Sequence, residues 1–208
     1  MQKKWMFILM MSLFLSCFRE QTSDKAEVYK DEFYCLLNDL IRMRLINTSV
    51  IQSETIPISK AMWKELAMSL DTNRALDGSA LFTLGGYESR ATKRLDSADI
   101  QYMYDAIDRV KTIQIDSAKV VVPLVATQKL KAIFSVNNRK VGYKVIKEIY
   151  GTSCHISVST PLFNSDYTRV IVWVDYSCGW KEGAGHIFIL EKRKDLWWLI
   201  EDIGTWVS

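Results

Sequence analysis

The residues best suited to chemistry crowd into the last third of the chain: Cys154, His155, Asp175, Cys178 and His186. A thiol beside an imidazole suggests a nucleophile and its base, but Cys154 and His155 are neighbours in a stretch that reads as a strand. Adjacent side chains on a strand point to opposite faces, so this imidazole cannot reach this thiol. Cys154 and Cys178 flank turn chemistry at Asn164-Ser165-Asp166. With a three- or five-residue loop there they fall directly opposite each other, at a separation a disulfide closes; a two- or four-residue loop separates them. The expectation is a Cys154–Cys178 disulfide. The alternative is a zinc or redox site in which His186 joins the two thiols, since a hairpin centred on Lys181 would pair His186 with Tyr176 on the face of Cys178. Against it, Cys154 and His186 would stand two strand spacings apart, about 10 Å, with no CxxC or HxxxH spacing in support. No metal ligands are assigned.

Three further residues are candidate contacts. Asp175 is a mid-strand acid between Val174 and Tyr176, and Trp173 shares its face. Together they are where a pocket in a curved sheet would form. Trp180 sits in the glycine-rich run Cys178-Gly179-Trp180-Lys181-Glu182-Gly183-Ala184-Gly185. That run lacks GxxxxGK[ST] and leads into a strand, so it reads as a hairpin connector and not a phosphate cradle. Its indole either folds back onto the sheet or stands out as a contact anchor. There is no nucleophile-elbow serine, no paired-carboxylate arrangement and only two histidines, so no catalytic residue is assigned. No cofactor is expected.

The elements that position these residues are mainly strands. Val170 to Tyr176 is β-branched and aromatic, with Val170, Val172, Val174 and Tyr176 on one face and Ile171, Trp173 and Asp175 on the other. His155 to Phe163 precedes it, with Pro161 marking an edge or interruption. Gly185 to Lys192, Leu196 to Ile200 and Thr205 to Val207 follow. Both faces are apolar, so both need covering. Earlier, Glu27 to Thr48 has helical spacing in Val28, Phe33, Leu36, Leu37, Leu40, Ile41 and Leu45, with Cys35 expected as a buried thiol. Ser59 is a candidate cap for a helix from Lys60 to Leu70, and Asp96 or Ser97 for one reaching Val110. Asp71 to Leu95 reads as a loop with one short strand. Val120-Val121-Val122, Leu130 to Val136 and Val141 to Tyr150 read as strands, with a turn at Asn137-Asn138. Their basic residues Lys129, Lys131, Arg139, Lys140, Lys144 and Lys147 would be a solvated face. Helices first and strands last make an α+β fold, N-terminal helices packed on a mainly antiparallel C-terminal meander. In element order this loosely resembles the nuclear-transport-factor-2 and cystatin folds.

The chain opens with Lys3 and Lys4, about a dozen mostly apolar residues, and Leu13-Phe14-Leu15-Ser16-Cys17. The apolar run is shorter than the roughly 20 residues of a membrane-spanning helix. Leu-Phe-Leu-Ser-Cys resembles the lipobox of bacterial lipoproteins in its loosened Bacteroidetes form, with Phe14 where the strict pattern has Leu. That resemblance implies a signal peptide over residues 1–16, lipidation of Cys17, a tether over 17–26 and a single α+β domain over 27–208. Phe18 after the lipidated cysteine would by the same resemblance favour the outer membrane. The chain has 27 basic and 24 acidic residues; losing Lys3 and Lys4 with the leader leaves 25 against 24. A nearly balanced surface argues against a nucleic-acid protein, which should show a basic stripe, and roughly 190 remaining residues suffice for one core.

Ser159-Thr160-Pro161-Leu162-Phe163-Asn164, the Val170–Tyr176 strand, Cys178-Gly179, Gly183 to Gly185 and the ending Trp206-Val207-Ser208 are similar to the C-terminal part of Bacteroidetes secreted or lipid-anchored proteins. Those relatives often have a second cysteine just after the Cys-Gly pair, where this chain has Trp180-Lys181-Glu182. The likeness covers about the last quarter and lends no catalytic residue. Asp96-Ser97-Ala98 and Asp116-Ser117-Ala118 resemble the acceptor triplets of Bacteroidetes O-glycosylation. Two functions follow as expectations. One is a non-enzymatic envelope lipoprotein that binds an envelope partner through an open sheet face or the Trp180 loop. The other is a periplasmic small-molecule-binding or hydrolytic domain with a pocket at Asp175 and Trp173.

Overall fold

The computed structural model describes residues 25–46, 50–63, 66, 95–136, 138–179 and 181–207. Helix α1 covers 25–42 and α2 covers 60–63 with 66. Three more helices follow: α3 (Ser97–Ala106), α4 (Thr127–Val136) and α5 (Arg139–Tyr150). The strands are β1 (Val50–Gln52), β2 (Leu124–Val125), β3 (Cys154–Val158), β4 (Leu162–Phe163), β5 (Arg169–Cys178), β6 (Gly183–Arg193) and β7 (Leu196–Val207). They form one sheet in the order β2-β1-β3-β5-β6-β7, with β4 also on β5. Pairing is antiparallel from β3 to β7 and parallel between β3, β1 and β2. The α+β class read from the sequence is present.

Strand β5 is apolar on both sides, and a helical layer covers each. On the first face, Phe33, Leu36, Leu37 and Leu40 of α1 pack with Val170, Val172, Val174, Phe188, Leu190 and Trp197. Their three- and four-residue spacing makes one apolar stripe. On the second face, Trp63, Leu66, Met103 and Ile107 pack with Leu162, Ile171, Trp173, Ile187 and Ile189. Further along that face, Leu130, Ile133 and Ile146 of α4 and α5 cover Val50 and Val125.

The caps expected at the helix starts are formed. Asp96 accepts from the Asp99 amide at 2.7 Å, and Ser59 Oγ from the Met62 amide at 3.2 Å. The turn after β4 is built on Asn164, whose side-chain oxygen accepts from the Thr168 and Arg169 amides at 2.9 Å each. Pro161 interrupts as expected: the register moves by one residue between Val158↔Val174 and Leu162↔Ile171.

Several expectations are corrected. Leu130 to Val136 and Val141 to Tyr150 are helices, not strands. Leu130 and Ile133 have helical spacing, Asn138 caps α5 by accepting from the Val141 amide at 3.0 Å, and Gly151 ends it at φ 74°. The left-handed backbone at that last position is one glycine adopts without strain. The six basic residues of this stretch are exposed on the two helices. Val120 to Val122 only approaches the short strand β2, and β1 had no counterpart in the sequence reading. The two C-terminal runs are one strand. Cys35 lies on the exposed side of α1, not in the core.

One buried acid fastens α1 to the outermost strand. Asp39 is 7% exposed and accepts from the Trp197 backbone amide at 2.7 Å and from Arg42 Nε at 3.0 Å. Removing the carboxylate leaves a buried N–H without a partner. Asp39→Ala is therefore expected to lower stability by about 2–4 kcal/mol in urea unfolding, with Trp197 fluorescence reporting the loosened strand start.

Candidate functional site

The candidate residues gather at the end of the sheet where β5 turns into β6. Cys154 and Cys178 are direct partners in the β3–β5 register, their Cα atoms 4.1 Å apart and their sulfurs at disulfide distance. The Gly179 amide donates to Ser153 O, so the flanking pair is the hydrogen-bonded one and the cysteines occupy the closer, non-hydrogen-bonded position. The β5–β6 hairpin pairs Ser177 with Gly183 and Val174 with His186, which centres it on residue 180, not Lys181. His186 is thus two residues further from the cysteines along β6 than expected, though on their face. With each thiol facing the other, the zinc alternative loses its ligands. Among the described residues no group of three or more His, Cys, Asp or Glu is placed to hold a metal ion.

Strand β7 supplies two partners, Asp202 and Trp206, whose places depend on its irregular register. It contains two register shifts against β6, one between Ile189 and Leu190 and one between Gly185 and His186. Each inserts an unpaired residue, Ile200 and Thr205. A bulge re-aims everything beyond it by one face. After the first, Asp202 pairs with Phe188 on the α1 face, where its carboxylate meets His186 Nδ1 at 2.7 Å. After the second, Trp206 pairs with Gly185 on the opposite face, where its Nε1 donates to Asp175 Oδ1 at 3.0 Å. With neither bulge Asp202 would pair with Ile187 and turn away from His186, and Trp206 would keep its face but stand opposite Gly183 instead of Gly185.

On the α1 face, His186 stands edge-on to Tyr176 at 5.5 Å and stacks on Phe188 at 5.6 Å. The Tyr176 hydroxyl donates to Leu45 O at the end of α1. The bond to Asp202 holds the His186 pKa above its ordinary value, whereas burial pushes that of Tyr176 up. A His–Asp pair is two thirds of a hydrolytic triad, but among the described residues no hydroxyl or thiol bonds to the other ring nitrogen. On the second face His155 packs against Phe134 (5.8 Å) and Tyr143 (5.9 Å), and burial lowers its pKa.

Gly183 and Gly185 serve the Trp206 contact. A Cβ on Gly183 would fall 2.7 Å from the indole Cη2, and one on Gly185 2.1 Å from its Nε1. The indole therefore lies flat along β6, its six-membered ring over one glycine and its N–H over the other. Each glycine is a shelf position where any side chain would lift the ring. Asp175, directly across from Gly185, fixes the ring's rotation.

Of the other expected contacts, Trp173 is 6% exposed and packs in the second-face core. Asp175 is partly buried and engaged by Trp206. Trp180 and Cys17 lie outside the described residues. A cleft of about 330 Å³ lies away from Asp175 and Trp173, between α1 and the turn at Ala118–Val121. Among the described residues no helix is long and apolar enough to cross a membrane. Fold and site thus define an α+β protein with helices on both faces of a mixed sheet and an aromatic–acid cluster at its hairpin end. No family model, curated protein or solved structure matches the chain.

Two outcomes follow. Gly185→Ala should displace Trp206, costing about 1–3 kcal/mol and moving the Trp206 indole N–H resonance, while an exposed control such as Ala132→Gly leaves that resonance in place. The histidines should titrate on opposite sides of about 6.5, His186 above and His155 below. His186 then adds stability below the unfolded value that is lost as pH rises through its raised native value. His155 acts in reverse: its contribution is present at neutral pH and lost as acid forces it to charge. Asp202→Asn should bring the His186 midpoint down in an NMR titration and leave that of His155 unchanged.

Proposed function

We propose that this chain is a lipid-anchored protein of a bacterial cell envelope, attached through Cys17, whose folded part binds a protein partner along the outer edge of β7 and catalyses no reaction. The observation that supports it is the edge itself. Among the described residues β7 pairs only with β6, and Leu196, Trp198, Leu199, Trp206 and Val207 are all exposed along it. An unpaired strand presents a row of N–H and C=O groups that takes up another strand, here beyond Trp197, whose N–H is held by Asp39, with flanking apolar side chains adding contact area. Outer-membrane placement, suggested by Phe18, belongs to the same reading.

A second copy fits this edge poorly. In the antiparallel register of full overlap Leu196 meets Val207, and Glu201 meets Asp202, so like charges oppose each other at the centre. A partner strand with a neutral or basic residue at that point avoids the clash. The pocket reading around Asp175 and Trp173 has less support, because one of the pair is core and the other is held by Trp206.

The test has two parts. Cys17→Ala should abolish incorporation of labelled fatty acid and release the protein from the membrane fraction; retention without label would remove the anchor. Photo-crosslinking residues in place of Leu199 and Val207 should capture the same partner, and one in place of Lys140 on α5 should not. Equal capture from all three positions would rule out the edge.

A further inference from the structure

Trp206 is 41% exposed although one face of its indole lies against the backbone at Gly183 and Gly185. The exposure therefore belongs to the outer face. Its N–H is already bonded to Asp175, so the ring presents an apolar plate with no unmet polar atom and a fixed orientation. Polar groups border the plate on the same sheet face. Asp175 Oδ2 makes no hydrogen bond among the described residues, Ser157 is the cross-strand partner of Asp175, and Ser177 is two positions along β5. Thr205 Oγ1 lies beside Gly185. Ser157 in turn donates to Gln52 Oε1 at 3.0 Å, extending the polar row to β1.

We propose that the Trp206 shelf is a carbohydrate-binding platform. The outer indole face stacks on the C–H face of a pyranose ring, and Asp175 with the neighbouring hydroxyls bonds to the ring's hydroxyl groups. The electron-rich π-face attracts the weakly positive C–H hydrogens, and burying both flat surfaces removes apolar area from water. A plate already held flat loses little freedom on binding. The bordering chemistry decides the ligand class. A carboxylate at the rim repels phosphate and other anionic ligands, and β5 has no Lys or Arg beyond Arg169 at its far end. A quaternary ammonium ion would favour several aromatic faces around it, but Trp173 is buried and Tyr176 lies on the other face. A neutral, flat polyol ring meets both halves of the site. This site uses a side-chain face of β7 and not its outer edge, so it stands or falls apart from strand pairing.

The experiment follows the indole N–H resonance of Trp206, assigned by its loss in Trp206→Ala, during titration with cellotriose, maltotriose, the N-acetylglucosamine trimer and choline chloride. A saturable shift is expected with at least one trisaccharide, at a dissociation constant on the order of 1 mM. Asp175→Asn still accepts from the indole and should hold the resonance near its place while weakening the sugar about tenfold. Trp206→Ala should end binding, read through the Ser157 and Ser177 amides. Absence of any trisaccharide shift at about 20 mM, a shift with choline alone, or undiminished binding by Trp206→Ala would overturn the proposal. Amides of residues 198–203 report the outer edge separately.

Discussion

A strand that is apolar on both faces cannot be left half covered, and β5 is such a strand. Val170, Ile171, Val172 and Val174 are wholly buried and Trp173 nearly so. Each is worth roughly 1.5–3 kcal/mol when removed from water, so exposing either side would forfeit a large part of a typical domain's net stability. That requirement sets α1 on one face and α2 with α3 on the other. It also makes β5 the fixed reference for its neighbours: β3 is tied to it at the cysteines, and β6 pairs along nearly its whole length. Only β7, one strand further out, is free to deviate, and both bulges are there.

The strands nearest this reference were readable in advance because alternation and turn chemistry fix them locally. Asn164 and Asp166 announce the turn before β5 and Pro161 the interruption before β4; the facing of Cys154 and Cys178 was expected from an odd loop, whereas the turn is an even one, with Phe163 opposite Val170, and the one-residue shift at Pro161 restores it. Helices α4 and α5 were misread for a physical reason. Their apolar residues are short, β-branched runs whose spacing suits either period, and the lysines between them fit a strand's outer face as well as a helix's. The distinguishing signals were modest: Asn138 as a cap and Gly151 as a stop. Strand β1 is three residues long and pairs in parallel with strands distant in sequence, so nothing local marks it. Cys35 was placed inside from its nearness to the apolar stripe, a matter of one helical position.

The candidate site was half visible. Asp175 stood out as an acid in an apolar strand, and that oddity now has a cause in the indole it holds. Its partner could not be named, because Leu196 to Ile200 and Thr205 to Val207 read as separate runs and nothing local sets the register of the second against β6. Gly183 and Gly185 looked like connector residues, since a glycine in a strand gives no hint of the ring resting on it until the third strand is in place. His186 was assigned the correct face and the wrong neighbour, the hairpin being centred one residue earlier than supposed.

The bulge at Thr205 has an evolutionary corollary. An unpaired residue in one strand is a change of length that the ladder has absorbed: Gly204 faces His186 and Trp206 faces Gly185 on either side of it. Loss of that one codon would bring the same two pairs together without the bulge, so the indole would keep its side of the sheet. Gain or loss of a residue at this point is therefore open to descent, whereas a side chain acquired at Gly183 or Gly185 takes away the surface on which the ring lies.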